Sequence, residues 1–243
     1  MKAVIYNFDA AASSYDQAAL MQVQVAENLV AWVKADKTDI HSVLDLGCGT
    51  GLVSLAAHRR WPNAEIVALD TSSAMVELAR HKIPQVRTVV SDATSLFSAE
   101  TYDLVLSSMM LHWLDDPLAV VRSWQRYVKP GGQLCVALLV EGSFEEWRTL
   151  CTEAKISDGL WTMPRGDFAD IPATAKYRQA LTMSYASAHE FLQCLKQTGA
   201  ATPRQAHVPI SPGAMRRILT GSPRPFDVTY QVLYVALESG QII

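Results

Sequence analysis

From about Tyr15 to Lys34, apolar side chains recur at Leu20, Val23, Leu29, Val30 and Val33, close to helical spacing, and a polar stretch, Lys34 to Asp39, ends the predicted helix. The pattern then shortens into near-continuous apolar runs of strand length: SVLDL (42–46), EIVALD (65–70), VRTVVSD (86–92), YDLVLSS (102–108) and QLCVALLV (133–140). Helical segments separate them. Leu52–Arg60 stops before Pro62. Ser72 caps a helix through Met75, Leu78 and Ala79. Asp116-Pro117 opens a helix that runs to Val128, and Lys129-Pro130-Gly131-Gly132 makes a turn. Strands without polar alternation, alternating with helices, predict a parallel sheet covered on both faces.

The pattern changes after Val140. Residues 141–178 set Phe144, Trp147, Trp161 and Phe168 among glycines and prolines, which predicts an inserted helix and an irregular segment. Ala186–Gln197 is a predicted helix stopped by Gly199. DVTYQVLYVALE (227–238) alternates as a strand and is expected to return to the sheet as part of an antiparallel pair. The expected fold is α/β and Rossmann-like: a mostly parallel seven-stranded sheet with helices on both faces and an inserted helical lid. One domain, 1–243, is expected, with an N-terminal helical cap over 1–38. The insertion at about 141–178 lies on the substrate side, above the carboxyl ends of the strands, where open α/β sheets bind ligands.

Composition narrows the function classes. Of 243 residues, 49% are hydrophobic, enough for a real core. Lys plus Arg is 21 against 24 for Asp plus Glu, so nothing suggests wholesale nucleic-acid or membrane binding. No apolar run has the length of a signal or membrane segment. Cys48, Cys135, Cys151 and Cys194 are scattered with no CxxC spacing, which indicates neither a zinc site nor a disulfide framework. Free thiols and a reducing cytoplasm are expected.

The chemistry concentrates in VLDLGCGTG (43–51). Glycines after a first strand let the backbone turn sharply and approach a ligand closely. Leu52 stands where a P-loop needs lysine, and the spacing Gly47-Cys48-Gly49-Thr50-Gly51 is GxGxG rather than the GxGxxG of a pyrophosphate reader. Asp70, at the tip of the second strand, suits ribose hydroxyls. Asp92, after the third, suits an adenine amino group. Ribose and adenine without phosphate point to S-adenosylmethionine, against the alternative of a tight turn in a cofactor-free domain. DLGCGTG, the acid of VALD, SDA (91–93) and YDLVLSSMMLHW resemble the motif series of class I S-adenosylmethionine-dependent methyltransferases over roughly residues 43–140. That resemblance implies a cofactor site at Asp45, Gly47, Cys48, Gly49, Gly51, Asp70, Thr71, Met75, Asp92, Ala93, Ser108 and Met109, and no metal.

The outer segments are more particular. FDAAASSYDQAALMQVQVAENL, LHWLDDPLAVVRSWQRYVKPGG, LLVEGSFEEWR, LKQTGAATPR and VTYQVLY together resemble the malonyl-carrier-protein O-methyltransferases that start biotin synthesis. The stretch Ser211–Asp227 departs from that family in being short and proline-rich. The resemblance implies methyl transfer to the free carboxylate of a malonyl group on acyl carrier protein. A carboxylate, with an ordinary pKa of about 4, is already ionised at neutral pH and attacks without a general base. Tyr15, Lys196 and His112 are the candidates on the substrate side: Tyr15 to orient the carboxylate or cap the methionine end of the cofactor, Lys196 to meet the carboxylate charge, His112 as pocket wall. Arg178 and Arg204 are rivals of Lys196. Arg122, Arg126 and Lys129, spaced along one helix face, and Arg216, Arg217 and Arg224 are the basic groups that could dock an acidic carrier protein. Phe144, Trp147, Trp161, Met163 and Phe168 are expected in the insertion as core, some also lining a lid. A small-acid methyltransferase of the trans-aconitate type and a non-catalytic protein of the same fold are the competing readings.

Overall fold

The computed structural model describes residues 2–34, 40–96, 99–165, 173–201 and 209–239. Two helices, α1 (Lys2–Ala18) and α2 (Leu20–Trp32), precede β1 (Ser42–Leu46), α3 (Leu52–Arg60), β2 (Glu65–Asp70), α4 (Ser73–Lys82) and β3 (Arg87–Val90). Then come β4 (Tyr102–Ser108), α5 (Pro117–Trp124), β5 (Val128–Leu139), α6 (Glu145–Glu153), β6 (Ala175–Tyr185), α7 (Ala188–Gln197), α8 (Pro212–Gly221) and β7 (Phe226–Glu238). The sheet runs β3-β2-β1-β4-β5-β7-β6. Its first five strands are parallel, and β7 pairs antiparallel with both β5 and β6.

Successive residues of one strand fall in different cores. Val43 and Cys135 pack with α2 and α3, whereas Leu44 and Leu134 pack with Trp124 of α5. That two-sided burial is the physical origin of the unbroken apolar runs. The chain goes from β1 to β2 and β3 on one side and resumes at β4 on the other, so the carboxyl end of β1 is the switch point where a ligand crevice opens.

Four elements differ from the expectations. The helix predicted from about Tyr15 to Lys34 is instead two: α2 starts only at Leu20, and Tyr15 lies in the last turn of α1, which begins at Lys2. Alanines favour helix without producing an apolar stripe, which hid it. The helix expected to reach Val128 ends at Trp124, followed by a 3-10 turn at Gln125–Tyr127. Lys129 sits in β5, where its ammonium binds Asp103 Oδ1 at 3.0 Å and Ser42 Oγ at 2.9 Å, so Arg122, Arg126 and Lys129 do not share a helix face. The stretch 175–185 is the edge strand β6, with Leu181 its one fully buried residue, and an exposed edge leaves little hydrophobic signal. Finally, Ser211 caps α8 by accepting from the Ala214 N–H, with Pro212 in the first turn, inside the stretch read only as proline-rich. Among the described residues no helix is long and apolar enough to cross a membrane, and no cluster of three or more His, Cys, Asp or Glu could hold a metal.

Candidate active site

The N–H groups of Gly47 and Cys48 both donate to the Leu69 carbonyl at 2.9 Å, folding the loop over the end of β2. Gly47 has φ +75°, and a Cβ there would stand 2.8 Å from Met110 Cγ. Gly49 has φ +53° and open space on its Cβ side, so its backbone faces a ligand bare. Gly47→Ala should therefore cost about 2 kcal/mol, from left-handed strain plus displacement of Met110. A thermal melt checks it; an unchanged midpoint would mean that Met110 yields freely.

Asp70 at the tip of β2 is mostly buried. Its Oδ2 accepts the Gly49 N–H and its Oδ1 the Ser72 N–H, each at 2.9 Å. Burial raises its carboxyl above the ordinary range, and these backbone donors oppose the rise. Ser72 in turn caps α4, accepting from the Met75 N–H. Asp92 is exposed, and its Oδ1 accepts the Thr94 N–H and hydroxyl at 2.8 and 2.7 Å. Asp45 is fully buried beneath the loop. Ser54 donates to its Oδ2 at 2.6 Å, its Oδ1 has no partner, and burial pushes its carboxyl up to about 7.

One cavity opens on this loop. It is lined by Gly47, Cys48 and Gly49, by Asp70, Thr71 and Met75 around the β2–α4 junction, by Asp92 and Ala93 after β3, and by Ser108 and Met109 after β4. Asp45 and Gly51 do not line it. Gly51 instead packs on Ala79 and Ile83 of the neighbouring helix end. A second cavity, of about 340 Å³, shares Phe8, Tyr15, Gln22, Met109 and Trp113 with the first. The two spaces therefore meet at one seam. Met109, on that seam, holds φ +59°, a left-handed conformation costly for a side chain of its size.

His112 borders the second cavity. It is buried, its Nδ1 has no partner, and desolvation pushes its pKa down to about 3, so the ring is neutral. Tyr15 is half-buried on the seam, its phenol held protonated first by burial and then by the charge of Asp70. Trp113 packs between Phe8, edge-on, and Trp161, tilted, at 5.8 and 5.7 Å between ring centroids. Phe144, Trp161 and Met163 also line the second cavity, whereas Trp147 is core, its indole N–H bonded to the Asp158 carbonyl. Phe168 and Arg204 lie outside the described residues.

Two of the cations expected to meet the carboxylate, Lys196 and Arg178, line neither cavity. Lys196 is exposed on the last turn of α7 and lines neither cavity, although its neighbours Leu195 and Gln197 do. Arg178 is exposed on β6 and is engaged by Gln231 Oε1 and the Glu141 carbonyl. Arg216, Arg217 and Arg224 are exposed on and just beyond α8, lining neither cavity.

Sequence reasoning missed how α1 is fastened. Asp16 accepts the Thr50 hydroxyl at 2.6 Å and pairs with Lys82 at 2.7 Å, and Asp9 accepts the Ser72 hydroxyl. Ser14 reaches the Gln197 carbonyl at 3.0 Å. The helix thus straps the glycine loop and α4 to α7. Acids seven positions apart on one helix face were the only available hint.

The glycine-loop cavity fits a nucleoside sulfonium. It offers bare backbone at Gly49, a carboxylate at Asp70, the unpartnered buried hydroxyl of Ser108, and an apolar wall at Met75 and Leu114. Among its described lining residues there is no lysine or arginine to read a phosphate. A family model described as a methyltransferase domain matches residues 44–136. The chain is 30% identical to the malonyl-[acyl-carrier protein] O-methyltransferase of Magnetococcus marinus, across 92% of this chain and 87% of that protein. The chain belongs to that methyltransferase family. The enzyme of the same name from Halalkalibacterium halodurans is 27% identical across 96% of both chains. A biotin biosynthesis bifunctional protein of Bordetella avium is 31% identical, and this chain spans 51% of it. The fold is that of the solved YcgJ protein of Bacillus subtilis, with a TM-score of 0.59 at 16% identity, covering 89% of this chain and 99% of that one. This methyltransferase uses S-adenosylmethionine.

Proposed function

We propose that this methyltransferase esterifies the free carboxylate of a malonyl group carried by acyl carrier protein, giving the malonyl methyl ester that primes biotin synthesis. One observation carries the reading. The match to the malonyl-carrier-protein enzymes extends over nearly the whole chain, not only the 44–136 core. The second cavity is built largely outside that core, from α1, α2, the 160–163 segment, β6, α7 and β7. Likeness in those segments speaks to the substrate, whereas likeness in the glycine loop speaks only to the cofactor.

Bound S-adenosylmethionine supplies an electrophilic methyl group on a sulfonium. Asp70 would hold the ribose hydroxyls, Asp92 the adenine edge, and the Gly47–Gly49 backbone the amino-acid portion. Met109 and Tyr15 frame the seam where methyl group and carboxylate meet. The carboxylate arrives ionised, so the protein need only orient and desolvate it. His112 is suited to this because it stays neutral over the working pH range: its ring offers a hydrogen bond without a charge that would damp the nucleophile. The ester formed is neutral, and the apolar walls of Leu139, Phe144 and Met163 accept it.

Intact mass measured after incubation with labelled S-adenosylmethionine and malonyl-, succinyl- or acetyl-carrier protein tests the proposal. A gain of one methyl on the malonyl species alone is expected. Labelling of none, with the cofactor still bound, would overturn the substrate and direct attention to small organic acids.

A further inference from the structure

β6 and β7 pair with Leu181 opposite Tyr230 and Tyr185 opposite Phe226, which sets Tyr185 and Tyr230 on the same face of the sheet. Their hydroxyls meet at 2.7 Å, and both side chains line the 340 Å³ cavity. The rings are fixed by aromatic neighbours. Tyr230 stands edge-on to Phe144 at 5.0 Å, and Tyr185 packs on Phe191 at 5.5 Å. Burial raises both phenols well above their ordinary range, so each keeps its proton.

Two hydroxyls carry two protons, and their mutual hydrogen bond uses one. The nearest sulfur to the other is Cys194 Sγ, 3.8 Å from the Tyr185 oxygen, and a thiol is a weak acceptor. That sulfur itself leans toward the Ala18 carbonyl at 3.4 Å. The cavity wall mixes apolar side chains, Leu139, Phe144 and Met183, with polar ones, Ser184, Gln193 and Thr198. Glu190, a carboxylate on the cavity rim, is turned back to accept the Ala186 N–H at the start of α7. An O–H polarised by a second hydroxyl, with only a thiol as its acceptor and open to the cavity, is equipped to take a ligand oxygen.

Building on the malonyl reading above, we propose that the Tyr185–Tyr230 pair is the polar anchor of the acyl cavity: Tyr185 donates to an oxygen of the malonyl group and Tyr230 donates to Tyr185. Tyr185 then touches the substrate, while Tyr230 is a positioning residue that fixes the direction of the Tyr185 proton. An acyl chain bearing no oxygen within reach of this pair would leave the proton unsatisfied and bind poorly.

The variants Tyr185→Phe and Tyr230→Phe keep the rings, so the aromatic packing survives. Steady-state kinetics with malonyl-pantetheine as substrate, together with calorimetric titration of S-adenosylmethionine, test the assignment. Tyr185→Phe should raise KM for malonyl-pantetheine by about tenfold, the loss of one hydrogen bond to a charged or strongly polar oxygen, with cofactor affinity unchanged. Tyr230→Phe should raise it less, by about threefold, because the Tyr185 donor remains. Unchanged KM in both variants, or a larger effect from Tyr230→Phe than from Tyr185→Phe, overturns the anchor. Failure of the unmodified enzyme to bind or methylate malonyl-pantetheine or malonyl-carrier protein overturns the malonyl reading itself, and the anchor with it. The two failures are thus distinguishable.

Discussion

Asp70→Asn should weaken binding of S-adenosylmethionine by about 100-fold in a calorimetric titration. Asp70 already accepts the Gly49 and Ser72 N–H groups, one on each oxygen, and each oxygen has a further lone pair for the cavity. Two ribose hydroxyls donating to a charged carboxylate are worth roughly 1.5–3 kcal/mol each, about half of which a neutral amide oxygen would retain on one side. The other side turns hostile. The amide NH₂ must face either the Gly49 or the Ser72 N–H, donor against donor, and the glycine loop must shift to relieve it. A loss of about 3 kcal/mol, or two orders of magnitude, follows. Asp70→Ala should bind no better, since it removes both acceptors. Native affinity in Asp70→Asn would exclude Asp70 as the ribose ligand, whatever its place on the cavity wall.

The site was legible where its determinants are local and illegible where they are not. Val43, Leu44 and Leu46 are all buried because β1 is covered on both faces, so the strand announces itself as an unbroken apolar run. Glycines must follow at once, because the loop turns back onto Leu69, and an acid must stand at the next strand tip. These features all lie within one strand–helix–strand unit, residues 42–70. The substrate side is assembled differently. Ser14 meets Gln197, and Tyr185 meets Tyr230, each pair brought together only by the completed fold. β6 carries half of the tyrosine pair, yet as an exposed edge it has almost no hydrophobic pattern. Lys196 illustrates the converse. A cation at a helix end is a strong sequence signal, but whether it faces the cavity depends on helical phase, and this one turns outward while Leu195 and Gln197 turn in. His112 was legible as pocket wall, but its burial was not. The 3-10 turn at Leu111–Trp113 and the cover of the aromatic lid bury it to 3% exposure, and that burial, not its identity, makes it neutral.

Two buried groups beside the site pull stability in opposite directions with pH, and removing one should reveal the other. Asp45 has its folded carboxyl raised to about 7 from an ordinary 3.8, first by burial and then by the charge of Asp70, with the Ser54 hydroxyl opposing. Between those values the folded chain holds a proton that the unfolded chain has released. Rising pH therefore favours unfolding, and the cost accumulates from about pH 4 until it is complete above about pH 7. Three units correspond to an upper limit of about 4 kcal/mol. His112 is lowered to about 3 from 6.5 by desolvation, so between those values the unfolded chain holds the extra proton. Its contribution to stability is present above about 6.5 and is lost as pH falls toward 3. From about pH 4 to 6.5 the two slopes largely cancel. Asp45→Asn deletes the falling slope and keeps an acceptor for the Ser54 hydroxyl. The stability of the variant, measured by urea unfolding, should gain on the unsubstituted protein by about 2–3 kcal/mol between pH 5 and pH 7. The gain is the difference in slope alone, independent of any constant cost from the amide NH₂ that replaces the unpartnered Oδ1. A constant difference across that range would show that Asp45 is ionised beneath the glycine loop at both pH values, held there by a donor to its second oxygen.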